Sequence, residues 1–208
     1  MEYSLGLCLL DFLPNLAFLV GAYFLVRTAQ LVQGRRCTRL MMAGALLVFL
    51  GGTLKAVWKL LYTTGVGDLR ICSEAQFVLL APGFLGLLLS TIMLARRGRS
   101  DAATGSPIVL GMAAWKIPFL IVMTLCSIGA YGVLTTIAFR RGARLAGALF
   151  IVAVLCLFAM SGMASGEQTV ARQWIEEGIN SAGQIAFAAG SFLLYRSYRS
   201  EGTEVTCA

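Results

Sequence analysis

Six apolar stretches follow one another along this chain, and most of them stop at a basic cluster. They run from about Leu5 to Val32, Leu40 to Tyr62, Gln76 to Ala95, Ile108 to Phe139, Leu145 to Ala164 and Gly178 to Tyr195. Each is near or above the roughly 20 residues that cross a hydrocarbon core as a helix. In lipid, a helix is the one open-ended element that satisfies its own backbone hydrogen bonds. The expected fold is therefore all-α: a polytopic transmembrane bundle of about six helices, a multi-pass integral membrane protein with the lipid bilayer as its first partner. In a bacterium this would be the cell membrane. Composition agrees, with 13% charged residues and a mean hydropathy of +0.80, against about a quarter charged in soluble domains. In 208 residues one compact bundle fits and a soluble domain beside it does not.

The stretches differ in quality. The fourth is the longest yet too short for two crossings, so a single helix kinked at Pro118 is expected. The sixth is diluted by Asn180, Ser181 and Gln184, while Ala182, Ala186 and Gly190 form a small-residue stripe suited to close helix packing. Pro82-Gly83 is the best candidate for an interrupted helix. Only Gly98 to Pro107 has linker composition.

The net charge of +7 would suggest nucleic acid in a soluble protein. Here the arginines sit in short clusters between apolar stretches, where headgroup-level cations belong, so nucleic acid is not an expected partner. The chain has no histidine, and its six cysteines occur singly; this leaves no metal-ligand spacing, no cofactor motif and no thiol pair. A nucleophile with an adjacent base is also missing, and the carboxylates lie near span ends, so enzymatic chemistry is not expected. Glu2 and Asp11 stand where a cleavable signal would carry a basic and then an uninterrupted apolar region.

The two halves of the chain resemble each other. Gly21-Ala22-Tyr23 recurs as Gly129-Ala130-Tyr131, and Arg35-Arg36-x-x-Arg39-Leu40 as Arg140-Arg141-x-x-Arg144-Leu145. Ala43-Gly44-Ala45-Leu46 recurs as Ala146-Gly147-Ala148-Leu149. We expect two three-helix repeats, 1–104 and 105–208. Three crossings is an odd number, so with six spans the second copy would be inverted, a plan recurrent in transporters. That topology puts eight basic residues on the face of the termini and nine on the other. So small an asymmetry orients the protein only weakly, with both termini outside.

Charged side chains within or beside spans are functional candidates because burying them is costly. Asp11, Lys55, Lys59 and Glu74 are expected at one mouth of an internal pathway, and Lys116, Glu176 and Glu177 at the other. Lys55, farthest from its loop, is the least suited to snorkelling to the headgroups. The expected function is permeation or transport of a small solute or ion at the repeat interface. The alternative is a membrane sensor, assembly factor or subunit packing on a partner membrane protein or on a second copy. A polar cavity between the triplets favours the first; a dry, close-packed interface favours the second.

Overall fold

The computed structural model describes residues 5–67, 69–96, 116–163 and 169–204, and the regular structure among them is entirely helical. Helices α1 (Leu5–Leu10) and α2 (Phe12–Val32) form one rod with a turn at Asp11. Pro14 explains the turn. It lacks an N–H, and its ring crowds the carbonyl four residues back, at Leu10. The ladder is disturbed there, although the Asp11 N–H still donates to the Leu7 carbonyl at 3.1 Å.

The remaining helices are α3 (Arg35–Thr63), α4 (Arg70–Ala95), α5 (Lys116–Arg140), α6 (Arg144–Met163) and α7 (Val170–Glu204). The α1/α2 rod and α3 to α6 give five helices long and apolar enough to cross a membrane. Their outward faces carry Leu46, Leu50, Leu125, Leu155 and Phe158, all exposed. Apolar surface on that scale suits lipid rather than water. Helix α7 is the longest at 35 residues, but its polar residues keep it out of that set.

One expectation about prolines is corrected. Helix α4 runs unbroken through Pro82-Gly83. Gly83 serves packing instead: a Cβ at Gly44 would stand 2.8 Å from the Gly83 carbonyl oxygen, so glycine on both helices lets α3 and α4 touch backbone to backbone. Pro118 is the third described residue of α5, and the expectation of a long helix kinked there falls on residues before Lys116, which lie outside the described residues. The linker Gly98–Pro107, the apolar residues Ile108–Ala114 and Trp115 lie outside the described residues.

The inverted arrangement is also corrected. Asp11 and Glu177 share a partner, Gly21 lies against Phe187 and Ala188, and Phe24 against Phe192 and Tyr195, so α2 and α7 run parallel. Gly51 meets Leu80 and Gly44 meets Leu87, so α3 and α4 are antiparallel. Leu88 lies against Gly129, and Leu94 and Ala95 face Ile137 and Arg140, so α4 and α5 are parallel. Phe150 meets Gly190 and Cys156 meets Gly183, so α6 and α7 are antiparallel.

Both triplets therefore run up, down, up in the same sense. The Arg35-Arg36 and Arg140-Arg141 turns share one end of the bundle, with Arg96 and the C-terminal part of α7. Leu5, Thr63, Lys116, Met163 and Val170 mark the other. The even charge balance disappears with the inversion. Among the described residues, Arg27, Arg35, Arg36, Arg39, Arg96, Arg140, Arg141, Arg144, Arg196 and Arg199 make ten cations at the first end; Lys55, Lys59, Arg70, Lys116 and Arg172 make five at the second. Asp11, Glu74, Glu176 and Glu177 also lie at the second end, which we call the acidic end, and the first the arginine end.

The helices form a closed ring in chain order, α7 returning to pack on α2. Two seams join the triplets, α4/α5 and α2/α7. Phe18 and Leu25 of α2, Phe84 and Leu87 of α4, Tyr131 and Leu134 of α5 and Phe187 of α7 meet on the central axis.

Candidate functional site: a buried ion triad and a polar row

At the acidic end, α1/α2, α3 and α7 bring three charges together. Lys59 Nζ lies 2.6 Å from Asp11 Oδ2 and donates a hydrogen bond to Glu177 Oε1 at 3.1 Å. The Asp11 contact is a charge contact, off the line of a straight hydrogen bond. All three residues are at least nine-tenths buried. The turn at Asp11 swings its carboxylate inward, and Asn15, one turn later, donates to the Asp11 carbonyl at 3.0 Å. Thr63 donates to the Lys59 carbonyl at 2.8 Å and pairs with Cys8 Sγ at 3.1 Å, which ties α1 to α3 beside the triad. Asn180 Nδ2 approaches the second oxygen of Glu177 at 3.5 Å.

Two carboxylates thus share one buried ammonium across the α2/α7 seam, with a second positive charge, Lys55, within electrostatic range of Glu177. Removing one partner from such a cluster strands the others in a poor solvent for charge, at a cost of about 3–5 kcal/mol.

The other candidates behave differently. Lys55 is exposed, so the deep lysine of the pair is Lys59, one turn further on. Glu74 is exposed on the first turns of α4. Glu176 turns away from its neighbour and pairs with Arg172 at 3.4 Å within α7, while Arg172 also donates to the Met163 carbonyl at the end of α6. Lys116 opens α5 at the acidic end, and its side chain lies outside the described residues. The expected division into two mouths at opposite faces does not hold. All seven residues lie at one end, because both triplets begin there.

One feature of α7 escapes a reading based on charge alone. Glu177, Gln184, Ser191 and Tyr198 recur every seven residues and so share a face, with Gln173 and Ser181 beside them. This face points inward: Gln173, Glu177, Ser181, Ser191 and Tyr198 are buried. Gln173 Oε1, Ser181 Oγ, Gln184 Oε1 and Ser191 Oγ, with Thr53 Oγ1 on α3, have no hydrogen-bond partner among the described residues. The Gln184 amide lies against the Tyr131 hydroxyl of α5. The row runs from the triad to Tyr198, whose ring carries the Arg141 guanidinium 3.7 Å above its centre at the arginine end.

Aromatic rings interrupt the row midway. Phe187 stacks on Phe18 at 5.5 Å and meets Tyr131 edge-on at 5.5 Å, with Phe150 6.3 Å away. The axial void beside them holds only about 20 Å³, room for about one water. Known families, characterised proteins and solved structures provide no match to this chain.

Proposed function

We propose that the protein is a membrane carrier for a small neutral or anionic polar solute, built from two parallel three-helix units, 1–104 and 105–208, that rock against each other. One observation carries this: the buried face of α7 that links the Asp11–Lys59–Glu177 triad to the arginine end through polar atoms with no hydrogen-bond partner among the described residues. Each such group costs about 1–3 kcal/mol when unpaired. A row of them at the interface between units fits a path that is wetted in another conformation. Parallel repeats about an axis along the membrane normal are an established transporter plan. The triad acts as a latch on the acidic side and the Phe18–Phe187–Tyr131 cluster as the central plug. The bundle is then closed at the acidic end, and its narrow axial void belongs to that closed state.

With ten cations against five, the arginine end faces the cytoplasm and the acidic end the outside. The N-terminal helix starts outside and α7 ends inside, in place of both termini outside. Single cysteines at Leu5 and Ser200, probed with an impermeant thiol reagent in intact cells, test this; labelling of the second but not the first would reverse the orientation.

A panel of small sugars, amino acids and organic anions in a proteoliposome swelling assay tests transport. We expect permeation of at least one solute, blocked by oxidising the Asp11→Cys/Glu177→Cys pair and restored by reductant. Swelling that never exceeds protein-free liposomes sinks the carrier. The dry axis would then favour the other reading, a non-transporting module that packs on a partner membrane protein or a second copy.

A further inference from the structure

Helix α7 also limits what can move along its buried face. From 178 to 195 it carries no charged residue, a stretch of about 27 Å along the axis. The middle parts of α2 and α5 that it meets, 12–26 and 118–139, are uncharged as well. An ion in that stretch would leave water with no countercharge to receive it, whereas a neutral polar group needs only a hydrogen bond.

The polar atoms along the stretch are rich in acceptors. Gln184 Oε1 has no hydrogen-bond partner among the described residues, and neither have Ser181 Oγ and Ser191 Oγ. Ser127 of α5 and Thr91 of α4 line the axial void with Tyr131. They give their protons to the Thr124 and Leu88 carbonyls of their own helices, at 2.9 and 2.8 Å, and keep only lone pairs to offer. Phe187 stands on the same face of α7, about one turn from Gln184 on one side and from Ser191 on the other. Phe18 and Tyr131 add ring surface around it, each 5.5 Å away.

We propose that the solute of this row is an uncharged polyhydroxylated molecule, a small polyol or monosaccharide, held midway along α7 with its carbon face on Phe187. Its hydroxyls donate to the acceptors of the row, and Ser181 and Ser191 answer in either sense. Its C–H bonds meet the negative faces of the aromatic rings. An amino acid or an organic anion brings charge that nothing in the stretch balances, and urea brings donors without a carbon face. This solute class rests on the carrier reading and narrows it, from neutral or anionic solutes to neutral ones.

Uptake by proteoliposomes of the full chain tests it, with xylitol and glucose set against glycine, lactate and potassium chloride. Xylitol or glucose should enter on the order of tenfold faster than any charged solute. Ser181→Ala and Ser191→Ala should each raise the KM for that solute on the order of tenfold, as expected for one lost hydrogen bond in a dry site. Both should also raise the thermal midpoint of the solute-free protein, because the oxygen removed is buried without a partner. Ser161→Ala, on the exposed side of α6, should change neither. Entry of glycine, lactate or chloride as fast as the polyols, or in their place, overturns the solute class and leaves the carrier standing. Entry of none of the five removes both. An unchanged KM in both serine variants, or a lowered midpoint, would show that the hydroxyls serve packing and would overturn the site.

Discussion

The α2/α7 and α4/α5 seams occupy equivalent places in the ring, yet one is sealed and the other is open. In the α2/α7 seam, Gly21 brings α2 onto Phe187 and the backbone of Ala188, Phe18 stacks on Phe187, and the Asp11–Lys59–Glu177 triad closes the acidic end. In the α4/α5 seam, Gly129 admits only the tip of Leu88, and beyond it toward the arginine end the helices part around a crevice lined by Gly132 under Arg140 and Arg141. Small residues at a helix interface therefore have no fixed meaning. They permit contact where the facing helix supplies an aromatic ring, and they leave a groove where it does not.

Six substitutions test that contrast. The largest effect is expected for Lys59→Met, which leaves Asp11 and Glu177 facing each other without a cation. The loss should be about 3–5 kcal/mol by steric-trapping or denaturant unfolding in micelles, against less than about 0.5 kcal/mol for the exposed Lys55→Met. Similar losses for the two lysines would mean that the triad does not hold the seam.

Next is Phe187→Ala, which removes the ring shared by Phe18, Tyr131 and Phe150. About 3 kcal/mol should be lost by the same measurement, and a loss below 1 kcal/mol would show a loosely filled plug. Gly21→Leu should cost about 2–3 kcal/mol, because its Cβ would stand 2.6 Å from the Phe187 ring and 3.0 Å from backbone. Gly132→Leu in the open seam should be nearly neutral; equal costs at the two glycines would erase the difference between seams. A small effect belongs to Glu176→Gln, which removes an i,i+4 pair with Arg172 and should cost about 0.3–0.5 kcal/mol. A cost like that of Lys59→Met would place Glu176 in the cluster with Glu177.

Much of the fold was legible before any coordinates. The spans ending at Val32, Ala95 and Arg140 follow from apolar length and the basic residues that punctuate it. The matched Arg-Arg-x-x-Arg-Leu turns suggest two inverted halves with the turns on opposite faces, whereas both turns stand at one end of the bundle. The candidate site was half legible. Asp11, Lys59 and Glu177 stood out because charge in an apolar stretch is costly, but so did Lys55 and Glu176, and only the facing of each helix separates them. The polar face of α7 was visible as residues seven apart, yet a mildly polar span looks the same whether its polar side meets lipid headgroups or another helix.

What the sequence alone determined is a set of helices, five of them long and apolar enough to cross a membrane, since transfer free energy and backbone satisfaction depend only on local composition. What the tertiary structure decided is the sense of the second triplet, and with it the charge asymmetry, the ends at which Leu5 and Glu204 lie, and the company Lys59 keeps. Helix direction is not a local property. An apolar stretch reads the same whichever end of the bundle it starts from, and only contacts such as Leu88 with Gly129 and Asp11 with Lys59 and Glu177 fix it.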